Sequence, residues 1–292
     1  DLKGYTKGGR TGIFAYRAAP IQINYLGYPG TLGTDFIDYI IADHIVIPEP
    51  NRNNFTEKII FMPNSYQPND NTRKISKKKI TKNAMNLPEK GFIFCCFNNN
   101  YKILSKEFSI WMRILNKVQD SVLWLLKTNE FAEYNLKKEA EKRGINQNRL
   151  IFAENAEQSD HLARHKLADL FLDTFNYNAH TTTSDALWSG LPVVTKLGKS
   201  FQSRVAGSLL QAIELSELVT ENEIDYESLI LELATSSEKL IKINEKLIKN
   251  RLLMPLFNSE HYTKNLEKGF EIAYKKYFNQ TKPETIDIIN DL

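Results

Sequence analysis

From residue 91 onward the apolar positions fall into a regular alternation. Short runs of strand character at Phe92–Phe97, Val122–Leu126, Leu150–Phe152, Leu170–Leu172 and Pro192–Lys196 are separated by longer stretches of helical period. In the first stretch Phe108, Trp111, Met112, Leu115 and Val118 line one face, and in the second Leu136 and Ala140 do so; further helical patterns cover 160–168, 183–189 and 201–213. Strands alternating with helices at this spacing predict a parallel sheet with helices on both faces. In such a sheet ligands bind outside the carboxyl ends of the strands.

Before residue 91 the pattern is different. Apolar runs at Ile21–Leu26, Tyr39–Ile47 and Lys58–Met62, with turn signals at Gly27, Pro29, Gly30 and Gly33, read as strands of one further α/β unit. They are too few to close a domain. Residues 1–70 are therefore expected to be the later part of a first Rossmann-like domain, 71–90 a polar, lysine-rich linker, and 91–275 a second Rossmann-like domain. The segment after about 220 reads as helical and charged, with 276–292 as a tail whose last dozen residues fray. The chain opens at Asp1 directly into motif-rich sequence, so it reads as part of something longer.

Composition narrows the class. With 292 residues, 42% hydrophobic and 25% charged, the chain is that of a soluble globular protein, long enough for two domains of ordinary size. A net charge of +3 argues against a dedicated nucleic-acid binder, and Lys77–Lys79, the dense basic cluster, reads as a solvated linker face. Cys95 and Cys96 are strand neighbours pointing to opposite faces, so they cannot bridge; a reduced, cytoplasmic setting is expected. No run approaches the ~20 apolar residues of a membrane span. No CxxC, HExxH, DxD or Walker loop occurs, so no metal or cofactor is expected.

Candidate chemistry gathers at three strand ends. After Leu170–Leu172 a polar turn, Asn176–His180, leads to a helix beginning at Thr181 or Thr182. Its free backbone N–H groups and positive dipole end suit a phosphate or diphosphate, with His180, Thr181 and Thr182 at the lip. Thr182 and Asp185 also match a capping box, an equally good account of Asp185. After Phe92–Phe97 come Asn98, Asn99, Asn100 and Lys102, an amide-rich turn and a compact cation able to hold phosphate oxygens; taken alone, a solvated loop lysine is the simpler account. After Leu150–Phe152, Ser159 reads as an N-cap with His161 in the first helical turn, where an imidazole can stack on a nucleobase or simply sit at the surface. Three such signals on one sheet carry more than any one of them.

These residues resemble a known family. GYTKGGRTGIFAYRAAPIQINYLGYPGT (Gly4–Thr31), DYIIAD (Asp38–Asp43), FNNNYKI (Phe97–Ile103), SVLWLL (Ser121–Leu126), HLARHKLADLFLDT (His161–Thr174) and NAHTTTSDALWSGLPVVT (Asn178–Thr195) are similar to the catalytic region of O-linked N-acetylglucosamine transferases, glycosyltransferase family 41. They look most like bacterial members related to plant SPINDLY proteins, over residues 1 to about 275. The resemblance implies a GT-B architecture of two Rossmann-like domains, the first incomplete here. It also implies inverting, metal-independent transfer of GlcNAc from UDP-GlcNAc to Ser or Thr of proteins. Lys102 matches the lysine that binds the diphosphate and stabilises the leaving group, and Asn99 a nearby glutamine of animal members. Ala156, His161 and Arg164 match positions around uracil; His180, Thr181 and Thr182 the phosphate-binding group; and Asp185 the carboxylate on the ribose. The turn Leu26, Gly27, Tyr28, Pro29, Gly30 and Thr31 would line the sugar and acceptor side. Two positions depart: Asn64 replaces a histidine in a Met-Pro-His run, and Gln158 a lysine near the ribose. The family's suggested base and its substrate-recruiting tetratricopeptide repeats would lie upstream of Asp1. The rival readings are a SPINDLY-like transferase of fucose from GDP-fucose and a non-catalytic nucleotide-sugar-binding fragment.

Overall fold

The computed structural model describes residues 1–289 and contains two parallel sheets. The first is built from β1 (Ile23–Asn24), β2 (Tyr39–Ala42) and β3 (Lys58–Phe61). The second is built from β4 (Ile93–Cys96), β5 (Val122–Leu126), β6 (Leu150–Ala153), β7 (Leu170–Leu172), β8 (Val193–Lys196) and β9 (Val219–Thr220). A last strand, β10 (Ile286–Asp287), returns to the first sheet. The helices in chain order are α1 (Ser105–Lys117), α2 (Glu130–Lys142), α3 (Gln158–Arg164), α4 (Thr181–Ser189), α5 (Val205–Ala212), α6 (Glu223–Thr235), α7 (Ser237–Leu253) and α8 (Ser259–Phe278).

The second sheet has the order β6-β5-β4-β7-β8-β9. The chain therefore builds outward from β4 in one direction and then returns to build outward from β7 in the other. The crevice between β4 and β7 is the topological switch point, where open α/β sheets bind ligands. Strands covered on both faces need continuous apolar runs rather than alternation, and all four residues of β4 are buried. On α1 the helical stripe buries Phe108, Ile110, Trp111, Met112, Ile114 and Leu115, as its spacing predicts. Cys95 and Cys96 are both free and buried, and burial raises both thiols well above their ordinary range.

The first sheet has the order β1-β2-β3-β10, and its two faces belong to different cores. Ile40, Ala42, Ile59 and Phe61 join the large core around the second sheet, while Tyr39, Ile41, Ile60 and Met62 pack with Ala273, Ile286 and Ile288. Period-two alternation along β2 and β3 makes that division. At the junction the buried Asp43 carboxylate accepts from the backbone of Ile45 and Val46 at 2.9 Å each, Tyr66 at 2.8 Å and the Ser208 hydroxyl of α5 at 2.7 Å. Arg204 adds a bond to the Ile45 carbonyl at 2.6 Å.

The expected tail is corrected. α8, expected within the second domain up to 275, packs against the first sheet, and β10, among the last dozen residues expected to fray, pairs in parallel with β3. Gly269 permits the approach: a Cβ there would lie 2.9 Å from Ile60 Cγ2. Tyr262 of α8 bonds the Tyr66 carbonyl at 2.7 Å and the Tyr25 hydroxyl at 2.6 Å. The physical reason is edge pairing: β3 offers unpaired backbone groups, which Ile286 and Asp287 meet while Ile286 and Ile288 bury in the smaller core. Residues 290–292, the end of the expected tail, lie outside the described residues. Two smaller corrections concern helices. Glu157, with extended ψ, is the N-cap of α3, so Ser159 lies inside the first turn. The 201–213 stretch is divided into a 3-10 turn, Phe201–Ser203, and α5.

Candidate functional site

The loop after β7 enters α4 through His180, whose φ of −100° and ψ of −89° are non-helical and which makes no side-chain cap. The first-turn N–H groups of α4 thus point out of the sheet without an intrahelical partner. The proposed capping box is not formed. The Asp185 carboxylate is instead ion-paired to Arg73 of the linker, which also donates to Ser184 Oγ at 3.1 Å. Burial pushes the Asp185 carboxyl up, and Arg73 opposes that shift.

Lys102 leaves the adjoining strand β4 and reaches the same place. Its ammonium donates to the Asn178 carbonyl at 2.9 Å and sits 4.1 Å from the centroid of the Tyr177 ring. Burial lowers its pKa, and the nearby Asp173 carboxylate pulls it back up. The solvated loop lysine is therefore not what the fold makes of it. Beneath it the three consecutive asparagines have three separate roles. Asn98, 1% exposed, donates to Thr174 Oγ1 at 2.8 Å and Asp173 at 3.3 Å and accepts from Thr182 Oγ1 at 2.8 Å. Asn99 is exposed and caps the Tyr101 N–H at 3.4 Å. Asn100 donates to the Leu126 carbonyl at 3.1 Å, tying the loop to β5.

Asp173 directly follows β7 and is fully buried. It accepts from Thr195 Oγ1 and Ala179 N at 2.6 Å each and from Thr174 N at 2.8 Å. Burial nonetheless raises it to about 7. His180 gives its Nε2 proton to the Gln202 carbonyl at 3.0 Å, and burial holds its pKa down at about 3, so the ring is neutral. Thr181 is exposed at the mouth.

The third group lies at the end of β6. Arg164, 3% exposed, donates to the Glu154 carbonyl and to His161 Nδ1, both at 2.6 Å, and stacks over Phe97 at 4.7 Å. Burial and this guanidinium lower His161 to about 4, leaving its imidazole neutral. Ala156 is exposed on the loop, where Glu154, Asn155, Ala156, Asp160 and Arg164 face Ile80 and Met85 of the linker across a cleft of about 280 Å³. The linker is held there by Ser76 N to the Ser159 carbonyl at 3.0 Å and Lys78 to Asp160 at 2.8 Å. Gln158 is exposed at the start of α3.

On the other side, the turn after β1 is built around Leu26, whose φ is +70°, and Gly27, where a Cβ would meet the Leu2 carbonyl at 2.0 Å. The Asn24 side chain bonds the Gly30 carbonyl at 2.9 Å, and Thr31 and Leu32 are held by Glu57 at 2.5 and 2.7 Å. Tyr28 packs edge-on against Tyr5, and Pro29 is partly exposed beside it. Burial raises the Tyr177 phenol, with smaller contributions from Tyr101 and Tyr28. Asn64 lies apart, in a crevice with Tyr262 and Asn265.

Arg73, Asp173 and Tyr177 join the candidate site without having been singled out in the sequence, whereas Asn98 was, in the amide-rich turn after β4. An acid directly after a buried strand is the signal that points to Asp173. Arg73 carries none, because its partner lies 112 positions away. Among the described residues no three His, Cys, Asp or Glu side chains gather as metal ligands, and no helix is long and apolar enough to cross a membrane.

A family model, Glycosyl transferase family 41, matches residues 1–82 and 71–266. The chain belongs to that family. It is 36% identical over its whole length to the probable UDP-N-acetylglucosamine–peptide N-acetylglucosaminyltransferase SEC of Arabidopsis thaliana, covering 31% of that protein. It is 31% identical to the Petunia hybrida protein of the same description named SPINDLY, over 97% of this chain and 30% of that one. The family-41 chain thus spans about a third of the length of these curated relatives. Among solved structures, a mutant O-GlcNAc transferase of Thermobaculum terrenum superposes with a TM-score of 0.79 at 26% identity, over 91% of this chain and 50% of that one. The lipopolysaccharide glycosyltransferase WaaG superposes with a TM-score of 0.56 at 12% identity, over 91% and 85% respectively, a likeness of fold. The architecture is GT-B, as the resemblance implied.

Proposed function

We propose that this chain is the donor-binding and leaving-group half of a protein O-GlcNAc transferase that takes GlcNAc from UDP-GlcNAc to Ser or Thr hydroxyls. The observation that carries the reading is the meeting of Lys102 and the N-terminus of α4 at the switch point between β4 and β7. As the acceptor oxygen bonds to the anomeric carbon and gives up its proton to solvent, the bond to the β-phosphate oxygen breaks and negative charge grows on departing UDP. The Lys102 ammonium and the N–H groups of Thr181 and Thr182 meet that charge from fixed positions, without reorganisation. His180 contributes as a neutral ring, with its proton committed to Gln202. With Oδ1 held by Arg73, Asp185 offers Oδ2 to a ribose hydroxyl. His161 and Arg164 would take the uracil together with the Ala156 backbone. Asn99, exposed beside Lys102, would reach the phosphates, and Leu26–Thr31 would face the sugar and acceptor.

Calorimetry with UDP and GDP tests the donor. UDP is expected to bind at least tenfold more tightly, and a preference for GDP would move the reading to a SPINDLY-like fucosyltransferase. Transfer of radiolabelled GlcNAc by the full-length protein tests turnover, and its absence alongside tight UDP binding would reduce the site to nucleotide-sugar binding.

A further inference from the structure

Tyr177 touches both groups on which the preceding reading rests. Its ring lies under the Lys102 ammonium at 4.1 Å and nearly parallel to the His180 imidazole, with centroids 4.7 Å apart and planes at 23°. The residue is held from behind. Thr174 Oγ1 donates to its carbonyl at 2.6 Å, and Asn178, which follows it, bonds the Thr174 carbonyl at 2.7 Å and the Gln202 carbonyl at 2.9 Å. Lys102 thus docks on residues 177 and 178 through two contacts of different chemistry, a ring face and a carbonyl.

We propose that Tyr177 is a positioning residue for the transfer: its ring face holds the Lys102 ammonium at the mouth of α4 and keeps His180 in line beside it. This rests on the reading of Lys102 as the group that serves the diphosphate. The choice of an aromatic partner has a physical reason. A carboxylate in direct contact would neutralise the ammonium and repel an arriving diphosphate. A ring face attracts the cation with no formal charge of its own. Burial together with Tyr101 and Tyr28 raises the Tyr177 phenol, so the ring stays neutral. The other groups facing Lys102 are Asp173 at the end of β7, the Cys96 thiol of β4 and the neutral His180 of α4. Of these Asp173 favours the charged lysine, but its oxygens are occupied by Thr174, Ala179, Asn98 and Thr195.

A double-mutant cycle on UDP affinity tests this. Tyr177→Leu is expected to weaken UDP binding about tenfold in the native background and less than about twofold in Lys102→Met. Tyr177→Phe, which retains the ring, should recover most of the loss. In Tyr177→Leu the alkaline fall in UDP affinity should also begin at lower pH, because the ammonium has lost a favourable partner. Equal losses in the two backgrounds, or a Tyr177→Phe variant as weak as Tyr177→Leu, would overturn the proposal. If Tyr177→Leu fails to fold, Tyr177→Gln takes its place in the cycle. Should Lys102→Met bind UDP as tightly as the native chain, the reading of Lys102 itself falls. The contact is then judged alone by 15N titration of the lysine ammonium. Its midpoint drops in Tyr177→Leu and holds in Tyr177→Phe if the ring supports the cation, and holds in both if it does not.

Discussion

The two ends of the candidate nucleotide cleft are built differently. At the β4–β7 end, Asn98, Asp173, Thr174, Thr182 and Thr195 form one buried hydrogen-bonded network directly beneath Lys102 and the start of α4. At the β6 end the loop carrying Glu154, Asn155 and Ala156 is exposed, and the linker is attached to it through Ser76 and the solvated Lys78–Asp160 pair. A buried network leaves no polar atom free to reorient cheaply, so the donors it carries are fixed before any ligand arrives. A solvated loop and a surface ion pair can shift at little cost. The fixed donors thus lie at the β4–β7 end, and the adjustable loop side chains and linker at the β6 end, where the buried Arg164 still holds the Glu154 carbonyl.

The difference can be broken or sharpened by substitution. The largest effect is expected at Lys102. Lys102→Ala should lower transfer by the full-length protein about 100-fold or more, while thermal unfolding of the chain shifts little, because loss of a half-buried cation also removes its desolvation cost. Turnover near the native rate would remove the lysine from the chemistry. Next comes the network itself. Asn98→Ala strands Thr182 Oγ1 and takes a donor from Asp173, so it should cost about 2–4 kcal/mol in urea unfolding and weaken UDP binding with it. A loss below 0.5 kcal/mol, read against the same scale, would mean that the network does not act as a unit.

The third effect is on pH dependence. His165, 0% exposed, has its pKa lowered by burial to about 3, from an ordinary value near 6.5. Between these values the unfolded chain binds the extra proton and the native chain does not. Stability from this group is therefore present above about 6.5 and lost as pH falls toward 3, at up to about 1.4 kcal/mol per pH unit. His165→Gln should flatten the stability profile between pH 6.5 and 4.5, and an unchanged slope in urea titrations would refute the assignment. The smallest effect is expected at the soft end. Lys78→Ala should alter UDP affinity less than about twofold and leave the unfolding midpoint where it was. A tenfold change would show that the linker clamp is part of the rigid site after all.

Much of the second sheet was legible in the sequence because its strands are continuous apolar runs and its helices carry a clear stripe. The turn before α4 was legible for the same reason, as a strand end followed by hydroxyls. Asp185 was not. Its spacing from Thr182 fits a capping box, yet the non-helical geometry at His180 and the arrival of Arg73 from the linker give the carboxylate a different partner. Nor was the return of the chain end to the first sheet, because β10 has two paired residues and no pattern of its own. The free edge of β3 and the apolar face of the first sheet give that segment its conformation.

By itself, the sequence determined the α/β alternation, the placing of Lys102, His161 and His180 at strand ends, and the resemblance to family 41. These follow from local periodicity and from residues close together in the chain. The tertiary structure decided which of those strand ends adjoin, and it made the β4–β7 crevice the meeting point of Lys102 with α4. It also supplied Arg73, Asp173 and Tyr177, whose partners lie on other elements. Strand order and side-chain partnership across a core are set by packing between distant segments, and no local pattern encodes them.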